Sequence, residues 1–111
     1  MSTGMIAIAQ EYSRYPGGRR IAEGPHSGED FREHYLKPLW EKHDGIVIQL
    51  DGTRGYGSSF LEEAFGGMVR CGLITSDEDL QKIQLHSEDD FLKQEITEYI
   101  QDALRNTNKH N

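Results

Sequence analysis

The spacing of apolar residues changes repeatedly along the chain and predicts alternating strands and helices. Three short apolar or β-branched runs, near residues 5–9, 46–51 and 83–86, predict buried strands. Between and after these runs, apolar side chains recur at helical spacing in three segments that contain Phe31, Phe60 and Phe91. Strands that alternate with helices predict a parallel or mixed sheet covered by helices.

The segment 46–70 shows the clearest change of spacing and is predicted to organise the fold. Its apolar run is followed by a glycine-rich loop, and helical spacing begins at Phe60. We expect a helix that begins within two residues of Ser59. Ser58 or Ser59 would be its N-cap, because a serine oxygen accepts from the first free N–H groups of a helix. Two hydroxyls would then lie at the carboxyl end of a strand, where open α/β sheets usually bind their ligands.

Local signals predict the elements before this segment. After a turn at 15–18, residues 19–23 are predicted to return as a short antiparallel strand of a hairpin. Ser27 is predicted to cap the next helix, with Asp30 at the spacing of a capping box. Pro38 is expected to kink that helix or to end its regular part, because proline removes a donor and crowds the preceding turn.

The polar ends of the chain, 1–4 and 106–111, are expected to be flexible. No linker or internal repeat divides residues 1–111, so a single domain is expected.

Composition narrows the classes of function. The net charge of −7 disfavours non-specific binding to nucleic acid or to an anionic membrane. Cys71 is the only cysteine and the five histidines lack metal-ligand spacing, so neither a metal nor a cofactor is expected. No apolar run approaches the ~20 residues of a membrane span, and no signal peptide is visible. We therefore expect a cytoplasmic protein.

The central turn resembles a known family. Gly57-Ser58-Ser59-Phe60-Leu61 is similar to the Asp-Ser-Ser-Gly-Leu-like turn of STAS domains, the fold of anti-sigma factor antagonists. In those domains a partner kinase phosphorylates one turn serine, which aligns with Ser59. Gly57 replaces the family's aspartate and Phe60 replaces its glycine.

A wider pattern resembles the small bacterial and phage STAS-like proteins of unassigned function. It consists of Tyr15-Pro16-Gly17-Gly18-Arg19, Gly24-Pro25-His26-Ser27-Gly28-Glu29, Phe31-Arg32 and Gly55-Tyr56-Gly57-Ser58-Ser59-Phe60-Leu61-Glu62-Glu63. The resemblance implies an α/β, STAS-like fold, with a mixed, mostly parallel sheet covered by helices. It also implies a partner ATPase of the histidine-kinase-like fold.

The favoured interpretation is a regulatory protein-binding module that is switched by phosphorylation of Ser59 or Ser58. Tyr56, Phe60 and Glu62 are predicted to form the partner surface, with an apolar patch beside the phosphate. Acidic residues in the first turn of the helix would oppose the phosphate by like-charge repulsion. The simpler alternative is that one serine only caps the helix.

The alternative function is a small anion- or nucleotide-binding domain. Its predicted site is an arginine–glycine stretch followed by a helix start: Gly17, Gly18, Arg19, Arg20, Ser27 and Gly28. Glycine lets an anion approach the backbone, arginine offers a fork of donors, and a helix start adds a positive end. The competing structural interpretation is a hairpin turn whose arginines pair with Glu23, Glu29 or Asp30.

A third interpretation is hydrolysis by Ser59 with His86 and Asp51, because strand, turn and helix resemble a nucleophile elbow. The residues 55–59 depart from that motif, and the sequence suggests no convergent acid, base and nucleophile. We therefore expect no enzymatic activity.

Overall fold

Three parallel strands form the sheet of the computed structural model, which describes residues 2–108. They are β1 (Thr3–Ala7), β2 (Gly45–Gln49) and β3 (Ile83–His86), in the order β1-β2-β3. The register aligns Ile6 with Ile48, and Ile48 with Leu85. Because strand side chains alternate between faces, this row lies on one face, which is the face that packs into the core. All three predicted strands are present, but the first lies two residues earlier than predicted, because Ile8 and Ala9 begin the π-helical segment Ile8–Tyr12.

Three longer helices accompany the sheet in residues 2–108, and two of them contain a π-helical segment. The first, α1, spans residues 28–42 and consists of Gly28–Phe31, the π-helical Arg32–Leu36, and Lys37–Lys42. The second, α2, spans residues 58–70 and consists of Ser58–Leu61, the π-helical Glu62–Gly66, and Gly67–Arg70. The third, α3, is the α-helix Asp90–Asn108. Shorter helical turns include the π-helical Ile8–Tyr12 after β1 and the 3-10 helix Asp77–Lys82 before β3. Within residues 2–108, no helix is both long and apolar enough to cross a membrane.

Helix α1 continues through Pro38 to Lys42, so the proline does not end it. The irregularity is the π-helical segment that ends at Leu36, two residues before the proline. A similar segment occurs in α2, which contains no proline, so the proline by itself does not account for it.

The segment 19–23 does not form the predicted hairpin strand. Ile21–Glu23 is a short 3-10 helix, and the neighbouring backbone pairs with the start of α1. The Gly17 N–H donates to the His26 carbonyl over 2.9 Å, and the Glu29 N–H donates to the Arg19 carbonyl over 3.0 Å. Because these groups are already paired, the segment cannot extend the sheet. The described strands are consequently all parallel.

Regular elements reach into both segments that were expected to be flexible. β1 already begins at Thr3, and α3 extends to Asn108. The other positions of the predicted flexible ends, Met1 and residues 109–111, lie outside the described residues.

Aromatic side chains join α1 and α2 in the core. Phe31 and Phe60 are fully buried, with ring centroids 5.9 Å apart. The Tyr12 ring lies 5.0 Å from that of Phe31 and connects the segment after β1 to this group. Helix α3 packs against the middle and the end of α2. These contacts hold the start of α2 at the carboxyl edge of the sheet.

Candidate functional site

The carboxyl edge of the sheet is formed by the loop after β2 and by the starts of α2 and α3. The Leu50 N–H donates to the His86 carbonyl over 2.9 Å, which extends the contact between β2 and β3. The Asp51 carboxylate accepts from the Ser87 hydroxyl at 2.7 Å and from the Glu88 N–H at 3.0 Å. The loop is thereby tied to the segment that enters α3.

Ser58 and Ser59 are exposed and are the first two residues of α2, as the predicted helix start requires. The N-cap is Gly57, whose carbonyl accepts from the Leu61 N–H over 3.2 Å, and no side chain caps the helix. The prediction that one serine is the N-cap is therefore wrong. A capping side chain must come from the residue before the first helical residue, and both serines already have helical backbones. Their hydroxyls are not used to start the helix.

The predicted partner surface of Tyr56, Phe60 and Glu62 is only partly accessible. Tyr56 is half-buried, and its hydroxyl donates to the Leu50 carbonyl over 2.6 Å. Burial raises the pKa of Tyr56 to about 12. Phe60 and Leu61 are fully buried, so the predicted apolar patch beside the serines is wrong. Their helical positions face the sheet, and the serines that precede them face solvent.

Phe91 supplies the exposed apolar surface at this edge. Its residue surface is 83% exposed at the start of α3, although the spacing of apolar residues placed it on the buried face. It borders a cavity of about 330 Å³ that also includes Tyr56 and Glu95. The sequence contained an indication of this exposure, because Phe91 shares one face of the helix with the acidic residues Glu95, Glu98 and Asp102.

A second group of charged residues connects α1, α2 and the loop before α1. We call it the arginine cluster: Arg19, Arg20, Arg32 and Arg70 around Glu62 and Glu63. The arginine cluster does not include Ser58 or Ser59, but its two glutamates lie on α2, the helix that these serines begin. The sequence pattern indicates only two of these arginines, Arg19 and Arg20, as site residues.

Glu63 is the centre of the arginine cluster, and only 4% of its side chain is exposed. Its Oε2 accepts from Arg32 Nη1 at 2.6 Å and lies 3.6 Å from Arg20 Nη1. Its Oε1 lies 3.3 Å from Arg19 Nη1 and 3.7 Å from Arg70 Nη2. Burial acts to raise the pKa of Glu63, but hydrogen bonds from Arg32 and Arg19 outweigh it and hold this pKa below its usual value.

Glu62 joins two of the same arginines on the more exposed side of the cluster. Its Oε2 accepts from Arg70 Nη1 at 2.6 Å, and its Oε1 accepts from Arg19 Nη1 at 2.5 Å. The Arg70 hydrogen bond is the main reason that the pKa of Glu62 is lowered. Glu62, predicted as partner surface, is therefore held in ion pairs.

The competing interpretation of Arg19 and Arg20 named the wrong carboxylates. Glu23 accepts the Arg19 backbone N–H at 2.8 Å, and Glu29 accepts the Ile21 backbone N–H at 2.9 Å. Asp30 instead accepts from the Tyr12 hydroxyl at 2.8 Å. Because the true partners lie more than 40 residues away on α2, the local sequence could not identify them.

The glycines and the serine of the predicted anion site connect the loop to α1. The Gly28 N–H donates to the Gly18 carbonyl over 2.9 Å, and the Asp30 N–H donates to the Ser27 hydroxyl over 3.1 Å. Ser27 is thus the N-cap, as predicted. Because the first N–H groups of α1 are already paired, this helix start offers no free donors to an anion.

Ser59, His86 and Asp51, the residues of the hydrolytic interpretation, are not joined by hydrogen bonds into a catalytic triad. Asp51 is bound by Ser87 and Glu88, and the hydrogen bonds among residues 2–108 include none between Ser59 and His86. The same part of the chain contains no group of three or more histidine, cysteine, aspartate or glutamate side chains that could hold a metal ion.

Comparison with known proteins gives one result. A family model described as a STAS-like domain of unknown function (DUF4325) matches residues 27–89, which is more than half of the chain. No curated protein and no solved structure matches the chain. The matched residues include α1, β2, the serine turn, α2 and β3, which form most of the fold described above. The chain therefore belongs to the family of STAS-like domains of unknown function.

Proposed function

We propose that this protein is a regulatory binding module whose serine turn, Ser58 and Ser59, contacts a partner protein and is switched by phosphorylation. The supporting observation is the position of the two serines. Both are exposed at the start of α2, at the carboxyl edge of a parallel sheet, and neither hydroxyl is needed as a helix cap. A kinase must take the hydroxyl into its own active site, so exposure is the first requirement.

The start of α2 would also accommodate the product of such a reaction. A phosphoryl group on Ser59 carries a charge of about −1.5 to −2 and would lie beside the first backbone N–H groups of the helix. Glu62 and Glu63 follow three and four residues later and would repel it. Both carboxylates are paired with arginines, so their repulsion is weaker than that of two free carboxylates.

The partner surface that we propose combines the serine turn with the exposed ring of Phe91. Phe91 borders the cavity formed by the loop that leads from β2 into the serine turn. An exposed aromatic ring beside a cavity is the kind of feature that anchors a protein interface. From the resemblance of the turn to anti-sigma factor antagonists, the partner is an ATPase of the histidine-kinase-like fold.

The experiment uses the purified protein, a candidate ATPase of that fold and ATP. Mass spectrometry should find one phosphate on Ser59, and Ser59→Ala should prevent it, whereas Ser58→Ala is the matched control. In a binding titration, Ser59→Asp should weaken the complex by about tenfold or more, and Ser59→Ala should bind like the wild type. Phe91→Ser should weaken the complex whether or not the serine is modified.

The proposal fails if neither serine is phosphorylated and if Ser59→Asp binds as tightly as the wild type. The serine turn would then be a structural feature of the fold, without the phosphorylation mechanism of the anti-sigma factor antagonists that it resembles. If only Phe91→Ser changed the affinity, the binding role would stand and the switch would be lost.

A further inference from the structure

A shallow pocket of about 280 Å³ opens beside the arginine cluster and has no role in the function proposed above. It is lined by Arg20, Arg32, Glu63, Gly67, Arg70 and Cys71. Glu62 and Glu33 also pair with two of these arginines, Arg70 and Arg32, so most of the positive charge is compensated within the fold. A pocket lined by three guanidinium groups is still rich in donors for an anionic ligand.

Arg20 is the least engaged of the three arginines. Its side chain is 58% exposed, and its nearest carboxylate oxygen, on Glu63, lies 3.6 Å from Nη1. The hydrogen bonds among residues 2–108 include none from the Arg20 guanidinium. This arginine can therefore turn its fork of donors towards a ligand without breaking a hydrogen bond of the fold.

Arg32 is fixed in place. Its Nη1 donates to the Glu63 carboxylate at 2.6 Å and to the Glu63 carbonyl at 2.7 Å, and its Nε donates to Glu33 at 3.1 Å. A Cβ on Gly67 would overlap this guanidinium, so the glycine allows the arginine to lie against α2. A donor that is already oriented loses little entropy when a ligand arrives.

We propose that this pocket binds the phosphoryl group of a small phosphomonoester. A phosphomonoester is close to a dianion at neutral pH, so guanidinium groups attract it more strongly than a carboxylate, which carries one charge. Its phosphoryl oxygens can accept two donors from the fork of Arg20 and a further donor from another guanidinium group of the pocket.

The test is a titration of the full chain with inorganic phosphate, followed by amide chemical shifts. Sodium chloride at the same ionic strength is the salt control, and acetate is the monoanionic control. Phosphate should shift the amides of Gly67 and Cys71 and should bind at least about tenfold more tightly than acetate. Arg20→Gln should weaken phosphate binding by about tenfold, which corresponds to about 1.4 kcal/mol.

Arg14→Gln is the matched control, because Arg14 is exposed and does not line the pocket. It should bind phosphate like the wild type. The proposal is overturned if phosphate shifts these amides no more than chloride does. It is also overturned if acetate binds equally well, or if Arg20→Gln, with unchanged amide shifts elsewhere, keeps the wild-type affinity. None of these results depends on a partner protein or on serine phosphorylation, so they test this site separately.

Discussion

Replacing Glu63 with glutamine should destabilise this protein far more than replacing a glutamate on the surface. The Glu63 carboxylate is buried, and all four arginines of the cluster lie within 3.7 Å of it. Its strongest partner, Arg32, has only 8% of its side chain exposed. Glu63→Gln keeps the size of the side chain and one acceptor oxygen, but it removes the buried negative charge beside Arg32 and leaves only the more exposed Glu33 to compensate this arginine.

The expected loss follows from this burial. Removing one partner of a buried ion pair costs about 3–5 kcal/mol, because the other charge stays buried without compensation. The Glu63 backbone carbonyl still accepts from Arg32, which favours the lower end of this range, about 3 kcal/mol. A domain of this size has a free energy of unfolding of about 5–15 kcal/mol, so such a loss is large.

The matched control is Glu33→Gln, which removes the other carboxylate that Arg32 binds. Glu33 is more than one-third exposed and lies 3.1 Å from Arg32 Nε. An exposed pair contributes about 0–1 kcal/mol, so the control should remain close to the wild type. The assay is urea unfolding at pH 7, followed by circular dichroism. With an m-value of about 1–3 kcal/mol/M, Glu63→Gln should lower the midpoint by roughly 1–3 M.

A Glu63→Gln variant that lost less than about 1 kcal/mol, or no more than Glu33→Gln, would refute this reasoning. Glu63 would then be a replaceable member of the cluster, and Arg32 would be stabilised by other groups. A change in the m-value would show instead that the compactness of one state had changed.

Three further predictions concern acid stability, packing and the exposed ring. The lowered pKa of the two glutamates in the arginine cluster means that the unfolded chain binds more protons than the folded one. The contribution of these two glutamates to stability should be complete above the ordinary glutamate pKa of 4.5 and should be lost as the pH falls through their folded pKa values. The urea midpoint of Glu63→Gln should therefore fall less than that of the wild type between neutral and acidic buffers. Gly28→Ala should destabilise the folded protein by about 2 kcal/mol or more, because the new Cβ would overlap the Phe60 carbonyl oxygen. The control Gly17→Ala places its Cβ where no atom lies within 4 Å, so it should change the thermal midpoint little, and equal midpoints for the two variants would contradict this packing. Phe60→Ala should cost about 3–5 kcal/mol in urea unfolding and Phe91→Ala less than about 0.5 kcal/mol, and similar losses would show that one of these rings is wrongly placed.

Elements whose signal is local were predictable from the sequence. The three strands and the start of α2 follow from changes in apolar spacing, which reflect the face that each segment buries. Ser27 was recognisable as an N-cap because a cap involves only residues within one helical turn. The resemblance of the serine turn to STAS domains likewise depends on a short contiguous motif, and the family match agrees with it.

Contacts between distant segments were decided only by the tertiary structure. Ser58 and Ser59 are already part of the helix, so the N-cap is Gly57. The preference of serine for N-cap positions could not show that the helix begins one residue earlier than a serine cap requires. Phe91 is exposed because the face of α3 that it shares with acidic residues turns away from the core. Periodic spacing states which residues can share a face, but it does not state where that face ends.

The arginine cluster is the clearest case. Arg19 lies more than 40 residues from Glu62, and Arg32 lies 31 residues from Glu63. Ion pairs over such separations leave no periodic pattern, and both Arg19 and Arg32 have acidic residues much closer in the sequence than these partners. The packing of α1 on α2, with Gly28 and Gly67 allowing close approach, selects Glu63 as the common partner. The sequence by itself determined the three strands, the three longer helices and the family, and the packing of those elements determined which charges meet.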